Sequence, residues 1–148
     1  RRLLSRIVRR KGGVMRRVAW IVALFVAGCL TPADQMNEAQ AIVDKVHAAI
    51  AASDVRGLEG LYHTSFFANV AKDVWMRYLA DLAKREGGKM QVHLLAKHKD
   101  ARPDGDYYMF HYRLVFAKGA FDERITVAKR VGEGKLAIAA HILRPVKP

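Results

Sequence analysis

From Met36 onward, apolar positions recur at a helical interval: Met36, Ala39, Val43, Val46 and Ile50. A 3.6-residue period places all five on one face. Thr31-Pro32-Ala33-Asp34 supplies turn and N-cap chemistry ahead of this helix, and the pattern ends near Ala52. Ser53-Asp54 reads as the cap of a second, shorter helix carrying Val55, Leu58, Leu61 and Tyr62. Gly57 and Gly60 weaken it. His63-Thr64-Ser65 ends it, and Phe66 and Phe67 follow as an apolar plug under the loop. A third helix opens at Asp73 and carries Trp75, Tyr78, Leu79 and Leu82 as one stripe. Lys84 and Arg85 suit the negative end of its dipole, and Gly87-Gly88 stops it.

Past Gly88 the period shortens to two. Four strands are expected, over Lys89–Lys97, Tyr107–Phe116, Phe121–Val131 and Lys135–Leu143. Arg102-Pro103-Asp104-Gly105 forms the first turn. Lys118-Gly119 and Gly132-Glu133 suit two-residue hairpins, which set Ala117 opposite Ala120 and Val131 opposite Gly134. One face then collects Met90, Val92, Leu94 and Ala96; Tyr108, Phe110, Tyr112, Leu114 and Phe116; Ile125 and Val127; Leu136, Ile138, Ala140 and Ile142. Three helices cover that face, so the chain reads as α+β with helices on one side of a four-stranded antiparallel sheet.

The segment before the helices has a different pattern. Arg16-Arg17 leads into the apolar run Val18 to Ala27, which ends on Val26-Ala27-Gly28-Cys29. A basic start, a short apolar run and a small-residue cleavage site are the parts of a secretory signal. The run is too short to span a bilayer, which takes about 20 apolar residues. The last four residues resemble the lipobox of bacterial lipoproteins. That resemblance implies cleavage before Cys29 and acylation of its thiol. Residues 1–28 are therefore expected to be a signal peptide, with residues 1–14 either an extended n-region or sequence upstream of a start at Met15. Residues 29–35 would be a lipidated tether, and residues 36–148 the domain. Leu30 after the cysteine resembles the outer-membrane-directed case in Gram-negative bacteria, with the domain facing the periplasm.

Cleavage changes the charge argument. The 148 residues carry 26 Lys+Arg, 14 Asp+Glu and a net charge of +12. Eight basic residues and no acid precede Cys29, leaving 18 bases against 14 acids, a net of +4. The surplus is mostly targeting charge, and a nucleic-acid partner loses its main support. Cys29 is the single cysteine, so an intrachain disulfide is excluded.

Little catalytic chemistry stands out. HExxH, CxxC, GxSxG and P-loop motifs are all missing. Asp100, Asp104 and Asp106 do not match a calcium loop. His93 and His111, facing across the first hairpin, make a poor zinc site without a third ligand. No metal and no cofactor are expected. Two features stand out on the sheet. Glu123 falls on the apolar face, across from Leu114 and diagonal to Tyr112, where burial should raise its pKa. On the other face Arg113 falls opposite Arg124, which falls opposite His141. An anionic ligand or acidic partner would relieve that row.

The stretch Asp73-x-Trp75-x-x-x-Leu79-x-x-x-x-x-Arg85-x-Gly87 resembles bacterial exported proteins of the DUF4019 family. So does Gly105-Asp106-Tyr107 followed by a strand, Glu123 and a closing hairpin. The resemblance implies a nuclear-transport-factor-like (NTF2-like), or cystatin-like, fold with a curved sheet, and carries no reaction with it. Two functions follow as expectations. The first is a non-enzymatic, lipid-anchored binding or assembly module, meeting an envelope protein or a second copy through Arg113, Arg124 and His141. The alternative is a small-molecule carrier or enzyme with a pocket of Trp75, Tyr78, Tyr112 and Glu123.

Overall fold

The computed structural model describes residues 32–147. Residues 1–31, with the signal, Cys29 and Leu30, lie outside the described residues. Helix α1 spans Pro32–Ala52. Its first residue is proline, which lacks the N–H that a first turn leaves unpaired. The helix thus takes up Pro32 to Gln35, which sequence reading assigned to the tether. Ala39, Val43, Val46 and Ile50 are all fully buried, as their spacing requires. Ser53, at φ 53°, ends the helix, and the Asp54 N–H returns to the Ala49 carbonyl at 3.0 Å.

The expected second helix does not form. Asp54 instead binds the Arg56 backbone N–H and guanidinium, and Gly57 adopts φ 74°. What remains is two 3-10 turns, Leu58–Leu61 and Thr64–Ala68. They bury Leu58 and Phe66, and the His63 N–H binds the Ile138 carbonyl at 2.8 Å. Among the described residues there are therefore two α-helices rather than three. Helix α2 spans Lys72–Arg85. Asp73 lies in its first turn, while Ala71 occupies the cap position. Gly88 N–H reaches the Ala83 carbonyl at 2.7 Å and Gly87 N–H the Lys84 carbonyl at 3.4 Å. That pair of bonds is a Schellman motif, and both glycines hold the positive φ it favours.

Strands β1 (Gln91–Arg102), β2 (Gly105–Val115), β3 (Ala120–Arg130) and β4 (Ala137–Pro145) form an antiparallel sheet in sequence order. The second hairpin closes around four residues, with Val115 opposite Ala120 and Phe116 N–H bound to the Gly119 carbonyl. This register differs from the expected one by two positions, so every side chain keeps its face. Glu123 moves from opposite Leu114 to directly opposite Tyr112.

Two β-bulges have a larger effect. One falls between Leu94 and Ala96, the other between the Val127–Ile138 and Thr126–Ala140 pairs. A bulge inserts one residue and reverses the alternation beyond it. Ala96, Ala140 and Ile142 therefore leave the helix side, where they were expected, and face outward. His141 turns inward and is buried. His93 pairs with Arg113 rather than with His111.

Both helices lie on the inner face. The core joins Val43, Val46 and Ile50 of α1 and Leu79 and Leu82 of α2 to Tyr108, Phe110, Leu114, Ile125, Val127 and Ile138. The buried core of the described residues runs from Ala39 to Ile138. Among the described residues no helix is long and apolar enough to cross a membrane.

Candidate functional site

The inner face is built around Glu123, which is fully buried on β3. Its Oε2 lies 2.5 Å from His47 Nε2, brought in by α1. Its Oε1 lies 2.9 Å from His141 Nε2, brought in by the β4 bulge. His141 Nδ1 in turn lies 2.8 Å from the Tyr62 hydroxyl. The order of donors follows from the chemistry. Ionised Glu123 only accepts, so His141 donates from Nε2; its Nδ1 accepts the Tyr62 O–H when the ring is neutral and donates to the Tyr62 oxygen when the ring is protonated. His47 likewise donates from Nε2.

Sequence reading expected burial to raise the Glu123 pKa, and the structure corrects this. Burial does push the carboxyl upward, but the hydrogen bonds from His141 and His47 outweigh it and hold the group at about 2. Tyr62 goes the other way, since burial drives its phenol well above the ordinary value. Burial also pushes Tyr112 up to about 12. The Tyr112 ring meets His47 edge-on at 4.7 Å, and its hydroxyl binds Gln40 of α1.

Trp75 and Tyr78 form the outer part of this cluster. Trp75 meets the His141 ring edge-on at 5.1 Å, and Tyr78 stacks on Trp75 at 5.7 Å. Of the four residues expected to line a pocket, Glu123, Tyr112 and Trp75 come together around the two histidines. Tyr78 sits one ring further out, beneath the Arg85 guanidinium. The site is filled by His47, His141 and Tyr112. The buried Trp75 indole N–H falls short of hydrogen-bond geometry, yet it acts on the Tyr62 phenol as a donor that opposes the effect of burial. The described residues contain no cluster of three His, Cys, Asp or Glu side chains arranged for a metal.

The outer face does not carry the expected row. Arg113 stands opposite Asp122 and binds its Oδ1 at 2.8 Å. Arg124 stands between His111 on β2 and Ile142 on β4. His141 has left this face. In place of the row lies a groove of about 330 Å³ crossing all four strands. Ala96, Met109, Thr126 and Ala140 line it, with Ile142 along one side and His98, His111 and Arg124 supplying the polar groups. Small side chains at the two bulges leave the space open. Arg124 and Arg144 have no carboxylate within ion-pair distance among the described residues, and both border a second, shallower recess with Asp122 and Ile142. His111 Nε2 is buried and lacks a hydrogen-bond partner, with Asp122 Oδ1 3.8 Å away. Neither this groove nor that recess borders Glu123.

Sequence reading missed His47 and Tyr62. The His47 signal was present: it follows Val43 by four residues and adjoins Val46, on the edge of the buried stripe. Tyr62 was read as part of a helix face. Its role depends on the chain leaving the 3-10 turn and bridging to Ile138, which no local pattern announces.

The fold and site define an α+β domain with an open antiparallel sheet, a sealed Glu–His pair of contacts under the helices and a cationic groove on the other side. Compared with family models, with curated proteins and with solved structures, the chain matches none.

Proposed function

We propose that this chain is a non-enzymatic binding module of the bacterial cell envelope. Cys29 holds it to a membrane through lipid, and the outer face of the sheet meets an anionic partner. Its fold belongs with the NTF2-like or cystatin-like arrangements. The outer-face groove carries the functional part of this reading. It combines apolar floor, exposed cation and open access, which are the components of a recognition site. With α1 starting at Pro32, three residues after Cys29, the domain sits close to the bilayer.

The alternative is a carrier or enzyme acting around Glu123 and Tyr112. Against it stands the state of Glu123. A general acid or base works best with a pKa near the operating pH. Glu123 lies far below that, with an oxygen committed to each histidine.

Two substitutions test the proposal in the full chain. Cys29→Ser removes the acyl mass and moves the protein out of the membrane fraction. Arg124→Glu with Arg144→Glu leaves the acyl group in place and abolishes co-purification of the envelope partner. An unacylated native N-terminus ends the anchoring claim. Partner recovery unchanged by the double charge reversal ends the claim for the outer face.

A further inference from the structure

The groove points to a narrower class of ligand than an anionic partner in general. We propose that it binds a small amphipathic monocarboxylate, with its carboxylate at Arg124 and its hydrocarbon portion over the sheet. This rests on the outer-face reading above and names the ligand for that surface.

Size comes first. A volume of about 330 Å³ lies at the low end of ligand sites, which run from roughly 300 to 1,000 Å³. That accommodates a short chain or a single ring system. A dinucleotide or a folded peptide is too large.

Polarity comes next. Ala96, Met109, Ala140 and Ile142 give the groove an apolar lining. Met109 can adjust its shape to different hydrocarbon tails. The polar groups are His98 on β1, His111 on β2, and Arg124 and Thr126 on β3. Arg124 is exposed, and its five N–H donors lack a carboxylate partner among the described residues. A guanidinium and a carboxylate match as a two-pronged pair. His111 also lines the groove, but its Nε2 is covered from solvent and lies 3.8 Å from Asp122 Oδ1, so Arg124 alone holds both carboxylate oxygens. The groove lining contains no acid, so it offers nothing to a cation or an amine.

Charge also disfavours a second copy of the chain as the occupant. A twofold contact centred on the groove would set Arg124 and Arg144 against their own images, where like charges destabilise the pairing.

Octanoate is the probe, with 1-octanol as its neutral match, added to the full chain carrying Cys29→Ser. Amide shifts in a two-dimensional NMR titration give the affinity and the location. Octanoate is expected to saturate, moving the amides of Ala96, His111, Arg124, Thr126 and Ala140. Octanol is expected to bind at least tenfold more weakly. Arg124→Gln weakens octanoate by roughly ten- to a hundredfold, the range of a lost charged hydrogen bond. Ala140→Leu fills the groove and removes binding while keeping every charge, and an unchanged thermal midpoint confirms that it folds. No saturable octanoate shift overturns the proposal, as does equal affinity for octanol or for the Arg124→Gln variant. A dimer that Ala140→Leu dissolves, without any octanoate response, assigns the groove to a second copy and also overturns it. If octanoate fails while Arg124→Glu with Arg144→Glu still loses the envelope partner, the ligand class is wrong and the outer-face reading stands.

Discussion

Glu123→Ala lowers the stability of the domain by about 3–5 kcal/mol, the range for breaking a buried ionic contact by removing one partner. The residue is fully buried, and its removal leaves His47 Nε2 and His141 Nε2 without an acceptor. Each of those N–H groups then bears its own desolvation penalty. Glu123→Gln has a smaller effect, about 1–3 kcal/mol. Its amide oxygen still accepts from one histidine, while its NH₂ faces the other. The histidine that faces the NH₂ must turn an unprotonated nitrogen toward it. Urea unfolding at neutral pH checks the order: native above Gln, Gln above Ala.

The same residue makes stability depend on acid. The folded carboxyl sits near 2, below the ordinary glutamate value of about 4.3 in an unfolded chain. Its contribution is complete above the unfolded value and is lost as pH falls through the folded value. Native protein therefore loses stability between about pH 4.5 and pH 2, and Glu123→Ala loses less over that window. Parallel acid curves for the two proteins would show that Glu123 is not the group responsible.

Gly105→Ala has the second largest effect. Gly105 adopts φ 150° where the first hairpin meets β3, opposite Arg130. A Cβ there would lie 2.4 Å from the Lys129 carbonyl oxygen and 2.8 Å from Arg130 Cα. Both obstacles are backbone, so a side-chain rotation cannot relieve them. Backbone strain and overpacking together predict a loss of about 2–5 kcal/mol. At roughly 4 °C per kcal/mol for a domain of this size, the thermal midpoint drops by about 8–20 °C. Gly132→Ala is the control. Gly132 also has positive φ, 81°, but a Cβ meets nothing within 4 Å. It loses only about 1–2 kcal/mol, the strain of a left-handed residue.

Two of the three expected helices, and the face of each strand before its bulge, were legible in the sequence, because they rest on long periodic patterns. Ala39, Val43, Val46 and Ile50 could only be buried together, and Gly87-Gly88 could hardly continue a helix. The second hairpin's two-position difference left no trace in the pattern, because an even shift preserves alternation. The bulges were illegible for another reason. Neither Leu95 nor Ala139 is a glycine or proline, so nothing local marks the inserted residue. Yet those two insertions decide the chemistry. One turns Ala96 outward. The other exchanges His141 for Ala140 and Ile142, completing the Glu123 network on one side and lining the groove on the other. The expected Arg113–Arg124–His141 row failed twice: the second hairpin's register set Arg113 opposite Asp122, and the β4 bulge turned His141 inward. Glu123 was correctly picked out as buried, but its ionisation depended on His47 and His141, neither of which had been placed beside it.

The outer-face account predicts where the anchored protein touches its partner. A photo-crosslinking residue in place of Thr126, in the groove, should give a discrete adduct in the membrane fraction, and Arg124→Glu should abolish it. The same residue at Tyr78, on the helix side, should give none. An adduct from Tyr78 with none from Thr126 would place recognition on the helix side and contradict the account.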